Sequence, residues 1–280
     1  MWHFIATDIT KIKTITITIP LYTQLNMKIA IAQLYTRHFD KWAYISIKNK
    51  EAYCNKHGYD LVTRRGGYKT NFELRHPSWH SILLLLEILE TTNVDWIFWS
   101  DIDALIMDQT VRLEKFIKPK FDMIIPNQGE GEYCDSYTKS CLCCGHYFIR
   151  NTEWSKKFLR LVWDWPKNEF YKYRMDNYWE QCAVNDLREK NAMDFDKHVY
   201  IEPKNRAFNS FYFQDPEEQP MEFTEWGESW FRTKLSKKAK ESGLGSVYNT
   251  GDFIVHFAGA HCIPQRKELM EKYSEKVKWN

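Results

Sequence analysis

Apolar residues come in short runs separated by polar turns, and their spacing predicts strands alternating with helices. Lys28-Ile-Ala-Ile-Ala32 reads as a buried strand ending in polar Gln33, and a helix-like stretch follows from about Phe39 to His57. The segment from His57 to Val62 carries the stop of that helix and the next strand. Trp79 to Thr91 is apolar on nearly every side between Ile82 and Leu89, the mark of a buried helix. Val94 to Ser100 is an apolar strand that ends abruptly in Asp101 and Asp103. Further strands are predicted at Asp122-Met-Ile-Ile-Pro126, Tyr147-Phe-Ile-Arg150 and Phe253-Ile-Val255, with helices over Trp154 to Trp163 and Gln181 to Leu187. Leu269, Tyr273 and Val277 lie four apart among charges and predict an amphipathic helix in residues 263–280, packed as a solvated cap. In residues 1–26, an N-terminal extension, Thr14-Ile-Thr-Ile-Thr-Ile19 alternates with period two as a strand does. No repeat or low-complexity linker divides residues 27–262, so a single α/β domain is the economical reading.

Charge narrows the function classes. The 39 Lys and Arg nearly cancel the 37 Asp and Glu, for a net +2, which excludes a nucleic-acid reader built on bulk charge. An apolar content of 44% excludes a disordered chain. No run approaches the roughly 18 apolar residues of a membrane span. The first 26 residues lack the pattern of a signal peptide, and no Asn-x-Ser/Thr acceptor occurs. With an odd number of cysteines, seven, this points to a reducing, cytosolic setting and mostly free thiols. Cys134, Cys141, Cys143 and Cys144 lie within eleven residues; zinc or a local disulfide are the alternatives to free thiols there. Rings make up 16% of the chain, and from Phe208 to Phe231 eight of them alternate with six acids. Such a stretch suits either a saccharide groove or a second small core.

Asp101 and Asp103 carry the first chemical hypothesis. In open α/β sheets ligands collect beyond the carboxyl ends of strands, where these acids are predicted to lie. Their hard oxygens suit Mg²⁺ or Mn²⁺, which usually share their sphere with substrate phosphates, so a metal-bound diphosphate follows. Ordinary surface acids are the bland alternative. An aspartyl-nucleophile phosphatase also places Asp-x-Asp after an apolar strand, but here that strand is not the first and Ala104-Leu105 follow. A non-catalytic carbohydrate-binding module would use the same rings.

The flanking residues go further. Trp96-Ile-Phe-Trp-Ser-Asp-Ile-Asp-Ala-Leu-Ile-Met-Asp108 resembles the metal-binding signature of the galactosyl- and xylosyltransferase family of fungal galactomannan galactosyltransferases and plant xyloglucan xylosyltransferases. Tyr53-Cys-Asn-Lys-His-Gly-Tyr59 and Trp79-His-Ser-Ile-Leu-Leu-Leu85 resemble its upstream segments. Gly145-His-Tyr-Phe-Ile-Arg-Asn151, Trp179-Glu-Gln181 and Val255-His-Phe-Ala-Gly259 resemble its later ones, in the same order.

The resemblance implies a glycosyltransferase A fold: a Rossmann-like mixed central sheet flanked by helices, with the Asp-x-Asp at a strand end. It implies an enzyme that moves a sugar, xylose or galactose first, from a UDP-sugar to a carbohydrate acceptor on a glycan or glycoprotein. Asp101, Asp103 and His256 would hold Mn²⁺ or Mg²⁺. Gln33, Tyr35, Ser81, Asp101, Gly145, Gly259 and His261 would face the nucleotide and its sugar. Glu180 and Gln181 would flank the reacting centre, with Gln181 beneath the anomeric carbon if configuration is retained and Glu180 the candidate base if it is inverted. Without an anchor, a cytoplasmic form is the expectation, from a microbe or encoded by a virus.

Departures from the family pattern remove fixed positive charge. Two lysines of the pattern are replaced by Ser81 and His261, its Asn-Thr before the glycine by Cys143-Cys144, and one of its paired acids by Trp179.

Overall fold

A computed structural model gives the architecture of residues 27–69, 76–127, 142–165, 179–212, 248–258 and 266–280. Strand β1 (Ile29–Tyr35) leads through helix α1 (Asp40–His57) into β2 (Asp60–Arg65). Helix α2 (His80–Thr91) precedes β3 (Trp96–Ser100), and β4 (Ala104–Ile106) follows the turn at 101–103. Then come β5 (Met123–Pro126), β6 (His146–Arg150), α3 (Glu153–Trp163), α4 (Trp179–Glu189) and β7 (Val199–Glu202). The chain closes with β8 (Ser210–Phe211), β9 (Ile254–His256) and α5 (Arg266–Ser274).

The central sheet has the order β2-β1-β3-β6-β5-β7. Strands β2, β1 and β3 are parallel, β6 runs antiparallel to both β3 and β5, and β5 is parallel to β7. A smaller sheet, β4-β9-β8, stands beside it. The predicted mixed sheet flanked by helices is therefore the observed one. The short strands β4, β7 and β8, of three, four and two residues, are not marked by the sequence pattern.

Period-two alternation divides the interior between the two sheet faces. Ala30, Ala32, Ile97 and Trp99 pack with α2, α3 and α4, whereas Ile29, Ile31, Trp96 and Phe98 pack with Tyr53 and Cys54 of α1. The all-round apolar character of α2 follows, since Ile82, Leu84, Leu85, Leu86, Ile88 and Leu89 are all buried. Helix α1 buries residues 42–43, 45–46, 49–50 and 53–54, a stripe that holds Asn49 and Lys50 inside. It stops at Gly58, whose φ of 75° is left-handed and whose N–H reaches Cys54 O at 2.8 Å, a position that favours glycine.

Helix α5 is less of a solvated cap than its pattern suggests. Arg266 and Met270 are buried, and the helix ends before Val277. The chain there turns to pair with the segment after β4: Lys278 N–H donates to Met107 O at 2.7 Å, and Gln109 N–H donates to Lys278 O at 2.9 Å. Residues 1–26, with the alternation at 14–19, lie outside the described residues. So do Cys134, Cys141, Gly259, His261 and residues 213–231. Of the aromatic stretch, Phe208 is core, edge-on to Phe98 and Phe148. Among the described residues no helix is long and apolar enough to cross a membrane.

Candidate active site

Strand β3 delivers the acids and β9 delivers the histidine. Asp101 N–H donates to Gly145 O at 2.9 Å, which continues the β3–β6 ladder one step past Ser100. The chain then turns into β4, where Ala104 is paired with His256 across the antiparallel ladder and Phe257 N–H donates to Asp103 O at 2.8 Å. That register sets His256 Nε2 at 3.3 Å from Asp103 Oδ1 and 3.7 Å from Asp101 Oδ2. Candidate ligand atoms of the three residues all lie within 4.8 Å of one another. Asp101 is the open edge, its side chain 38% exposed, whereas His256 is only 4% exposed and closes the site from behind.

Gly145 makes the approach possible. A Cβ there would lie 2.5 Å from His256 Cε1 and 3.2 Å from Asp101 Oδ2. Its place beside the acids therefore rests on steric room rather than on any polar group of its own. Trp99 Nε1 donates to Asp101 Oδ1 at 2.9 Å and fixes that carboxylate.

Two buried cations, absent from the sequence reading, support the acids. Lys50 is fully buried and donates to Gln33 Oε1 at 2.9 Å, Ser100 O at 3.3 Å and Asp101 O at 2.6 Å. Burial lowers its pKa to about 7, against the pull of Asp101 and Asp103. Arg266, from the first turn of α5, places Nη1 3.4 Å from Asp103 Oδ2, donates through Nη2 to Phe257 O at 2.5 Å and lies over the Trp42 ring. Burial would raise Asp103, but Arg266 and then His256 more than reverse this and hold it below the usual carboxylate range. Asp101 goes the other way: burial and the Asp103 charge push it up.

Glu180 and Gln181 open α4, as the sequence suggests. Glu180 Oε2 is buried without a hydrogen-bond partner, and burial raises this carboxyl to about 7. Its charge is near enough to Asp101 to contribute to the upward shift there. Gln181 Oε1 accepts the N–H of Cys144 at 2.9 Å. The side chains expected to face a nucleotide are more committed than their sequence setting implies. Gln33 is fully buried, and its Nε2 donates to Thr63 Oγ1 at 2.8 Å while its Oε1 receives Lys50. The Ser81 hydroxyl donates to Ser78 O at 2.6 Å. Tyr35 stands at the end of β1, opposite Arg65. Cys143 and Cys144 are buried free thiols, and burial pushes Cys143 up to about 12.

Chemically, two carboxylates and one imidazole nitrogen converging from a turn and a strand form a donor set suited to Mn²⁺ or Mg²⁺. Lys50 carried a signal that could have been used, a basic residue on the inward, largely apolar stripe of α1; Arg266, in the first turn of a highly charged helix, carried none. Asn209, described below, carried none.

The sequence pattern of the galactosyl transferase GMA12/MNN10 family matches residues 29–124 and 130–268. The probable alpha-1,6-mannosyltransferase MNN10 of Saccharomyces cerevisiae is 28% identical over 176 residues, covering 53% of this chain and 44% of that protein. An alpha-1,2-galactosyltransferase of Schizosaccharomyces pombe is 23% identical over 256 residues, covering 82% of this chain and 59% of its own. The chain thus spans about half the length of these curated relatives. A glycosyltransferase involved in the glycosylation of the major capsid of PBCV-1 superposes with a TM-score of 0.59 at 16% identity, over 88% of this chain and 99% of that one. At that identity the likeness is one of fold, the glycosyltransferase A fold.

Proposed function

The chain belongs to the galactosyl transferase GMA12/MNN10 family, and from that membership we propose that it transfers a sugar from a nucleotide diphosphate sugar to a carbohydrate acceptor. The carrying observation is the convergence of Asp101, Asp103 and His256 within 4.8 Å. UDP-galactose and UDP-xylose are the first donors to test, with mannose nucleotides next because one relative is named a mannosyltransferase.

In this reading Asp101, Asp103 and His256 hold a divalent ion. When bound, such an ion supplies Lewis-acid neutralisation of the departing diphosphate. Lys50 and Arg266 keep the acids aimed, one through the backbone of the turn and one through the Asp103 carboxylate. Tyr35 contacts the nucleotide, and Gln33 acts behind it by holding Lys50. Gly145 lets the His256 ring and the Asp101 carboxylate close up beside the place assigned to the donor's phosphates, with Ser81 as part of the wall. Gly259 and His261 are assigned to the same end of the donor on the family pattern. Glu180, raised to about 7, exchanges its proton near neutrality, the property required of a group facing the acceptor hydroxyl. Gln181 orients the donor sugar beside it.

The rings and acids between Phe213 and Phe231 are proposed to meet the acceptor. Residues 27–262 would form the catalytic domain, with Arg266 binding the 263–280 segment into it. A cytoplasmic enzyme, microbial or virus-encoded, is further proposed; the reduced thiols of Cys54, Cys143 and Cys144 support a reducing compartment, and recovery of the protein in Golgi membranes would overturn that location.

Calorimetric titration of a panel of nucleotide sugars, with and without Mn²⁺, tests the central reading. Binding should require the ion and be lost in Asp103→Ala. If no nucleotide sugar binds, or the variant binds equally well, the assigned site is wrong.

A further inference from the structure

The two ring nitrogens of His256 have different tasks. Nε2 faces Asp103 and Asp101, while Nδ1 lies 2.9 Å from Asn209 Oδ1. The same amide oxygen meets Nδ1 of His146 at 2.8 Å. On its other side Asn209 Nδ2 donates to Asn205 Oδ1 at 2.8 Å. With its nitrogen directed to Asn205, Asn209 offers the two rings only an acceptor. A carbonyl oxygen has two lone pairs, and two ring N–H groups fill them.

We propose that Asn209 is the positioning residue that makes His256 a cation ligand: its oxygen holds the proton on Nδ1 and leaves the Nε2 lone pair between Asp101 and Asp103. This rests on the reading that those three residues hold a divalent ion.

Several features converge on this role. Asn209 is fully buried, and its backbone N–H is tied to Asn205 O at 2.9 Å. It immediately precedes β8, whose Phe211 is paired with His256 in the parallel ladder, so the register of the small sheet carries the amide to the ring. The His256 imidazole is walled by His146, edge-on at 4.8 Å between centroids, and by Phe211 at 5.4 Å. Gly145 supplies the remaining side, with no room for even a methyl group. A ring so confined keeps the orientation its Nδ1 partner selects.

His146 is arranged at some expense. Its Nε2 is buried without a partner, and burial holds the ring neutral. Its Nδ1–H occupies the second lone pair of Asn209 Oδ1, so the amide orientation is specified by Asn205 and by both rings together. The choice of an amide is also explicable. Histidine ligands commonly donate their second N–H to a carboxylate or a carbonyl. A carboxylate at 209 could accept the same N–H, but it would add a third negative charge behind Asp101 and Asp103. The neutral amide gives the acceptor without the charge.

The test uses the full chain without nucleotide sugar. Mn²⁺ affinity, read from the electron paramagnetic resonance of free Mn²⁺, should fall roughly 10- to 100-fold in Asn209→Leu. It should return to within about threefold of wild type in Asn209→Asp, which keeps the acceptor oxygen. Circular dichroism verifies that both variants fold. Failure of Asn209→Asp to restore binding would assign the effect to packing and overturn the proposal. Imidazole ¹⁵N spectra of the Mg²⁺-loaded wild type give a readout independent of any variant: a protonated Nδ1 and a proton-free Nε2 at His256 are expected, and a proton that stays on Nε2 with the ion bound sinks the idea. If wild type binds Mn²⁺ and Asn209→Leu binds it equally, the Asn209 role fails while the metal site stands. If wild type binds no divalent ion, the site reading fails and this inference with it.

Discussion

Lys50 donates its ammonium hydrogen to the backbone carbonyl of Asp101 at 2.6 Å, from a side chain with no exposed surface. The turn that aims the two acids is therefore braced from inside by a cation on α1. Removing the ammonium leaves the carbonyls of Ser100 and Asp101 and the amide oxygen of Gln33 without this donor. Lys50→Met should cost about 2 to 4 kcal/mol, since each orphaned buried acceptor costs roughly 1 to 3 kcal/mol and some relax. Urea denaturation checks this, and an unchanged midpoint would show that the brace is dispensable.

Gly145 meets His256 where no side chain fits. Gly145→Ala should fold with a loss of about 1 to 3 kcal/mol, the usual cost of overpacking, and bind Mn²⁺ at least about tenfold more weakly because the ligand ring is displaced. Gly67→Ala is the control. A Cβ there would also clash, at 2.2 Å, but with His80 Nδ1 rather than with His256 or Asp101. Equal Mn²⁺ affinity in the two variants would refute the steric role of Gly145.

The course of β1, α1, α2, β3 and β6 is legible in the sequence because each buries whole faces whose period survives in the residues. The Asp-x-Asp was legible for a different reason, an apolar run that stops at two acids. What the apolar and polar pattern alone could not give is what depends on pairing between distant segments; that His256 joins the acids was legible only through the family motif. The ladder between β4 and β9 brings His256 to Asp103 over 153 positions, and neither three-residue strand has a period of its own. Gln33 shows the same dependence: its polar character after an apolar run suggests a ligand contact, and only the fold reveals that Lys50, seventeen residues on, takes its amide oxygen. Arg266 looked like one charge among many on a C-terminal helix until the fold set it against Asp103.

Asp101 predicts the pH dependence of ion binding. Burial and the Asp103 charge push its carboxyl up, so the ion-free protein retains a proton there at pH values where an ordinary Asp has lost it. A cation must displace that proton. Mn²⁺ affinity should therefore fall as pH drops from about 8 to about 6. Calorimetry in two buffers of different ionisation enthalpy should register proton release on binding, and less of it in Asp101→Asn. An affinity flat across that range would count against Asp101 as a ligand.

Glu180 gives the opposite kind of linkage, in stability. Its folded pKa of about 7 lies above the ordinary value of 4.5, so the folded chain holds a proton that the unfolded chain has released. Stability from this group is complete below pH 4.5 and is lost as pH rises through about 7. Glu180→Gln keeps the shape and abolishes the titration. The variant should melt within about a degree of wild type near pH 4.5 and several degrees above it near pH 8, where wild type must carry a buried carboxylate whose Oε2 has no partner. Sugar transfer by the same variant should fall throughout, since Gln cannot exchange the proton. Melting-temperature differences that are identical at the two pH values would mean that Glu180 is not protonated in the folded protein, and its assignment at the reacting centre would lose its physical basis.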